Sequence, residues 1–262
     1  MKCGDLIEKL EESFPLSYAA GWDNPGLMAG RREKEVKRVY IGLDATDEVI
    51  RDAKEKGADM LLTHHPLLFS PVRKVNTDDF TGRRLVELIQ SDISCYAMHT
   101  NYDVAMMAPL ASRMLGLRDE EVLDITCTNE VTGEPEGFGR TGWLPAPVTL
   151  KECCELVKRV FGLEHVILYG DEEKVVSRAA VSPGSGKSMV QPAIWTGAEV
   201  LISGDFGHHE GIDSMMQGLA VIDAGHYGLE HIFISQMEEY MKKNHPDLEV
   251  YLEPVRNPFR IL

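Results

Sequence analysis

One stretch constrains this 262-residue chain more than any other: Met60-Leu61-Leu62-Thr63-His64-His65-Pro66-Leu67-Leu68-Phe69. A short apolar run follows a stop signal at Gly57 and leads straight into two histidines and a proline. So short a run reads as a buried strand. Neighbouring residues in a strand point to opposite faces, so both imidazoles serve one site only where the strand ends. Pro66 predicts that end, because it brings no N–H to the ladder and turns His65 toward an extended or turn conformation. Imidazoles at the carboxyl end of a core strand stand where open α/β sheets bind their ligands. Two structural histidines satisfied by hydrogen bonds would give the same pair, so a site needs further residues to declare it.

The surrounding chain keeps the rhythm of a parallel α/β sheet. Leu6, Ile7, Leu10 and Phe14 recur at helical spacing and predict a helix ending near Pro15. Residues 19–30 read as a loop, 39–44 as a strand, 46–56 and 78–90 as helices, and 93–98 as a strand. Residues 129–142, rich in glycine, are the expected hinge between two lobes. Thr149-Leu150-Lys151-Glu152 has the capping-box pattern and predicts a helix to about Phe161. Strands follow at 166–169, 175–181, 200–203 and 219–223, then a long helix over 229–243. The proline-bearing tail is expected along a sheet edge. The expected division is a metal-binding α/β lobe of residues 1–128 with 220–262, and a second α/β lobe of residues 129–219.

Three more segments place polar side chains just after predicted strands: His99-Thr100-Asn101-Tyr102-Asp103, Asp205-Phe206-Gly207-His208-His209, and Gly225-His226-Tyr227-Gly228-Leu229-Glu230-His231. Seven of the nine histidines therefore fall in four strand-end segments, which a random scatter seldom produces. His226 and Glu230 stand four apart where a helix begins, so they share a face. Imidazoles with carboxylates suit zinc, iron, manganese or cobalt better than calcium or magnesium. His64, His65, Asp103, His226 and Glu230 make five side chains, one more than a closed mononuclear zinc site needs. Bridging carboxylates let such a set hold two divalent ions, and the surplus positive charge favours a small anionic substrate such as a phosphate.

The net charge of −15 suits a cation site and argues against a general polyanion-binding surface. Five cysteines, odd in number and without a C-x-x-C pair, predict thiols in a reducing compartment rather than a disulfide framework. The charged N-terminal stretch does not read as a signal peptide, and no apolar stretch reaches the length of a membrane span. A cytoplasmic protein with no membrane partner is expected.

In combination, LLTHHPLLF, HTNYD, SGDFGHH and GHYGLEH resemble the Nif-three-like dinuclear-metal-centre family, the GTP cyclohydrolase I type two homologues. The similarity extends from the WDNPGL loop to the last helix. By motif match it implies the same five residues as ligands of two metals. It also implies two-lobed α/β subunits with mixed sheets flanked by helices, assembled as a toroidal homo-hexamer whose metal sites face an internal cavity. The domain that longer members carry near the lobe junction is missing from this sequence.

The resemblance leaves the reaction open. A cyclohydrolase would direct water at guanine C8 of GTP, whereas a phosphatase or phosphodiesterase would use the same metals on a phosphoryl oxygen. Either way Glu230 is expected to bridge the ions. His99, Asp205, His208 and His209 are expected to orient ligands or shuttle protons, and Asp44 is a further residue that would face the cavity. The alternative is a non-catalytic hexameric platform that holds metal and serves regulatory partners. Nucleic acid threading the ring is disfavoured by the acidic balance.

Val181-Ser182-Pro183-Gly184-Ser185-Gly186-Lys187-Ser188 imitates a phosphate-binding loop but has valine where the first glycine is required. It reads as a plain turn lining the cavity. Cys153, Cys154, Met106, Met107, Met215 and Met216 read as core filler.

Overall fold

The computed structural model describes residues 1–129 and 131–260. They form two units, each built on one mixed sheet flanked by helices, in keeping with the expected α/β class.

The first unit takes Met1–Tyr102 and Phe233–Arg256. It begins with α1 (Cys3–Ser13), β1 (Gly26–Ala29), β2 (Arg38–Gly42), α2 (Asp47–Glu55), β3 (Met60–Thr63), α3 (Phe80–Gln90), β4 (Ser94–Ala97) and a short helical turn, α4 (Thr100–Tyr102). Strands β2, β3 and β4 are parallel neighbours, and β1 lies antiparallel on the β4 edge. Side-chain caps fix the two crossover helices. Thr46 Oγ1 accepts from Val49 N at 3.1 Å and Asp79 Oδ1 from Gly82 N at 2.8 Å, each satisfying an amide that the first helical turn leaves unbonded. Val49, Ile50, Ala53 and Leu88 then pack onto Tyr40, Leu61 and Cys95. Every residue of β3 and β4 is buried, which is why Met60-Leu61-Leu62 is continuously apolar and does not alternate.

The second unit takes Asp103–Ile232 with the tail from Asn257. A π-helical turn at Asp103–Met107 runs into α5 (Ala108–Leu115), followed by β5 (Arg118–Thr128), β6 (Pro135–Thr149), α6 (Leu150–Phe161), β7 (Ile167–Tyr169), β8 (Val175–Ser185), α7 (Val190–Trp195), β9 (Val200–Gly204), α8 (His208–Met216), β10 (Ala220–Asp223) and α9 (His226–Glu230). The sheet order is β5-β6-β8-β9-β10-β7, with parallel pairing only for β8–β9 and β9–β10. The capping box of α6 is formed as expected: Glu152 N donates to Thr149 Oγ1 at 3.2 Å, and Thr149 N to Glu152 Oε2 at 2.8 Å. The chain returns to the first unit as α10 (Ile232–Asn244) and β11 (Glu249–Leu252), and β11 adds to the β2 edge in parallel. Glu249–Leu252 of the proline-bearing tail thus lies along a sheet edge, as its sequence implies.

Of the hinge expected at 129–142, residue 130 lies outside the described residues and 135–142 belong instead to the β5–β6 hairpin, in which Thr128 faces Pro135 and Val122 faces Arg140. A Cβ on Gly137 would lie 1.9 Å from the Asp124 carbonyl oxygen, so this strand requires glycine where backbones meet and imitates a loop in the sequence. Because β5 and β10 belong to the second sheet, the units divide at 102/103 and 232/233 rather than at 128/129 and 219/220. The loop expected at 19–30 carries β1 near its end. The helix expected at 229–243 is two helices, interrupted at His231, whose Nε2 bonds the Phe161 carbonyl at 2.8 Å. Cys153, Cys154 and Met107 are buried, but Met215 and Met216 are exposed, because α8 turns only Gly211 and Ser214 inward. Among the described residues no helix is long and apolar enough to cross a membrane.

Candidate metal centre

In the first unit the parallel strands end at one edge and deliver three imidazoles there. Beyond the strands the ladder continues: His65 N donates to the Leu43 carbonyl at 3.0 Å, and Met98 N to the Thr63 carbonyl at 2.9 Å. Thr63 Oγ1 donates to the His65 carbonyl at 2.9 Å and closes the turn before Pro66. His64, His65 and His99 then meet as a triangle, with ring centroids 4.9, 5.2 and 5.5 Å apart. One ligating nitrogen from each lies within 4.8 Å of the others.

Each ring is fixed through Nδ1. His64 Nδ1 donates to the Met98 carbonyl, His65 Nδ1 to Asp44 Oδ1 and His99 Nδ1 to Asp23 Oδ1, all at 2.8 Å. A carbonyl only accepts, so His64 carries its proton on Nδ1, and Nε2 is the nitrogen that could ligate a metal. The carboxylates impose the same tautomer on the other two. Such acceptor–imidazole pairs fix ring orientation and would raise the basicity of imidazoles that bind a metal. Phe233 and Tyr102 wall His64 at 5.4 and 6.1 Å.

The carboxylate behind His99 is the residue that the sequence did not disclose. Burial pushes the Asp23 carboxyl up, but hydrogen bonds from His99 and Thr100 outweigh it and hold the group at about 2. Thr100 N donates to Asp23 Oδ2 at 3.0 Å and Thr100 Oγ1 donates to the same oxygen. Asp44, expected to face the cavity, serves as the acceptor behind His65. Its loop is held from the far end of the chain: Leu43 N donates to Glu253 Oε2 at 2.9 Å.

In the second unit Asp223, at the tip of β10, joins the loops after β9 and β10. Its Oδ1 accepts from Gly225 N and its Oδ2 from Phe206 N, both at 2.9 Å. His226 and Glu230 lie on one face of α9, with Nε2 and Oε2 3.0 Å apart. His226 Nδ1 bonds Asp205 Oδ2 at 2.8 Å, so Asp205 orients this imidazole. Glu230 is buried. Gly184, from the sequence that imitates a phosphate loop, makes room for it: a Cβ there would stand 2.5 Å from Glu230 Oε1, and φ is +82°. Asp103 is half-buried and opens the π-helical turn with which this unit begins. His208 and His209 stand exposed in the first turn of α8, their rings 5.3 Å apart; among the described residues neither joins a group of three ligating side chains.

These features define an α/β protein with imidazole and carboxylate groups, several of them buried, that could hold a metal ion. The family model described as Duf34/NIF3 (NGG1p interacting factor 3) matches residues 1–258, and the chain belongs to that family. It is 34% identical over 266 residues to the GTP cyclohydrolase 1 type 2 homolog of Clostridium perfringens, covering 100% of both chains. Among solved structures it is similar to reduced HcgD from Methanocaldococcus jannaschii, with a TM-score of 0.82, 30% identity and coverage of 96% and 97%. The Bacillus cereus protein related to NIF3 shares the fold, with a TM-score of 0.91 at 23% identity and coverage of 100% and 99%.

Proposed function

We propose that this chain is a cytoplasmic metal-dependent hydrolase of a nucleotide or phosphorylated small molecule. His64, His65, Asp103, His226 and Glu230 would hold two divalent ions drawn from iron, zinc, manganese and cobalt. The observation that carries the reading is the triangle of imidazoles whose Nδ1 atoms are all engaged at 2.8 Å. Structural histidines have no need to gather with the same ring nitrogen engaged on each. Chain connectivity adds support: Asp103 opens the second unit, and α9 ends just before the chain leaves it. The relatives' names support the nucleotide class.

When bound, divalent ions would polarise a phosphoryl or ring-carbon centre and make water acidic enough to react at neutral pH. Glu230, with Gly184 beside it, contributes a buried carboxylate to the ligand set. His99 moves a proton at Nε2, because Asp23 keeps the other ring nitrogen protonated. Asp205 orients His226, and His208 and His209 serve to orient ligands or shuttle protons. The subunits assemble as a toroidal homo-hexamer, a reading supported by family membership.

The test is metal per subunit for the tag-free protein beside Asp103→Ala, followed by a screen of nucleotides and phosphoesters. About two ions, reduced in the variant, with saturable turnover lost in parallel, is the expected result. Stable metal without turnover of any compound would move the protein to the alternative class, a metal-holding platform for partners.

A further inference from the structure

The loop that buries Asp23 carries Trp22 outward. The Asp23 side chain is 0% exposed, whereas Trp22 is 68% exposed. The indole nevertheless meets His99, with centroids 6.0 Å apart and 73° between planes. Phe69, 53% exposed, meets the same imidazole at 5.5 Å and 84°. Asn24 ties the two loops together, its Nδ2 donating to the Leu68 carbonyl at 2.6 Å.

The Trp22 loop is well fixed. Asp23 accepts from His99, from Thr100 and, at 2.7 Å, from Asn24 N, while Ala20 N donates to Thr100 Oγ1 at 2.9 Å. An indole held out on so anchored a loop loses little further freedom when a ligand arrives. Two large exposed rings gathered on one imidazole mark a binding surface rather than scattered surface residues. The chemistry of the spot narrows the ligand. Aromatic faces favour a flat π-system, and the imidazole that both rings meet favours a ring with polar edges. An aliphatic chain would leave the imidazole edge without a match.

We propose that Trp22 and Phe69 receive a nucleobase-type heteroaromatic ring of the substrate beside His99. This rests on the hydrolase reading and names its substrate class.

The test uses full-length protein in which Trp143→Phe and Trp195→Phe leave Trp22 as the sole indole. Guanosine, adenosine, cytidine and uridine monophosphates are titrated against its fluorescence, with ribose 5-phosphate as the ringless control. At least one nucleotide should quench saturably while ribose 5-phosphate does not. By calorimetry, Trp22→Ala and Phe69→Ala should each weaken that nucleotide by roughly 5- to 150-fold, Trp22→Phe should recover most of the loss, and metal content should not change. No quenching by any of the four nucleotides overturns the proposal, as does unchanged affinity in the alanine variants. Unchanged affinity with an altered sedimentation coefficient would also overturn it and give the rings to a subunit contact. The two readings fail separately. Turnover of phosphoesters without preference for nucleotides over ribose 5-phosphate removes the ring site alone. Nucleotide binding with the stated losses, in a protein without turnover, sustains the ring site and removes the hydrolase.

Discussion

His99 Nδ1 lies 2.8 Å from Asp23 Oδ1, across 76 residues of sequence. The contact sets both the tautomer of the imidazole and the ionisation of the carboxylate. At about 2, the Asp23 carboxyl sits below its ordinary value of 3.8, so its ionised form stabilises the fold above pH about 4, and that contribution is lost as pH falls through about 2. Asp23→Asn should therefore be less stable than the parent by on the order of 2 kcal/mol at pH 7. Urea unfolding at pH 7, 4, 3 and 2 should show the deficit shrinking over the acid steps. A deficit independent of pH would mean that packing alone had been lost.

Metal should stabilise the folded chain by mass action. Adding a divalent ion at about a hundred times its dissociation constant should contribute about 2.7 kcal/mol, read as a rise in melting temperature over chelator-treated protein. His64→Ala and His65→Ala should abolish or sharply reduce that rise. An equal rise in either variant would place the binding elsewhere.

Gly184→Ala tests the room left for Glu230. The left-handed φ of +82° alone should cost about 1–2 kcal/mol, and the new Cβ must also displace a carboxylate oxygen. Gly162→Ala provides the control, since its φ is +67° with nothing within 4 Å of the built Cβ. Both variants should lose stability in urea, but only Gly184→Ala should lose metal. Equal metal content in the two would separate Glu230 from the ligand set.

Thr149→Ala removes one half of a formed capping box and should cost about 1 kcal/mol, measured by chemical denaturation. Metal content should stay at the parental value, which keeps this variant as a marker of stability without chemistry.

Much of this was legible because the informative signals are local. A buried strand that stops at His64-His65-Pro66, the Thr149 cap and the His226–Glu230 spacing each act within a few residues. What could not be read acts at a distance or imitates something else. Asp23 lies in a polar loop that names no partner, and its role depends on how β4 ends. The β5–β6 hairpin looked like a hinge because Gly137 is required by the Asp124 backbone opposite, and glycine in a strand resembles glycine in a loop. Met215 and Met216 read as core because methionine is apolar, whereas α8 packs through a glycine and a serine. Gly184 sat within a false phosphate motif, and its value shows only once Glu230 is seen beside it.

The first unit is made from both ends of the chain, and this orders events in time. His64, His65 and His99 leave the ribosome early, but Leu43, whose carbonyl accepts from His65 N, is itself held through its N–H by Glu253, and the sheet is completed by Glu249–Leu252. A chain still being made has its three imidazoles yet lacks the strand that closes their sheet. The sheet that carries the imidazole cluster is therefore complete only once Glu249–Leu252 has been made.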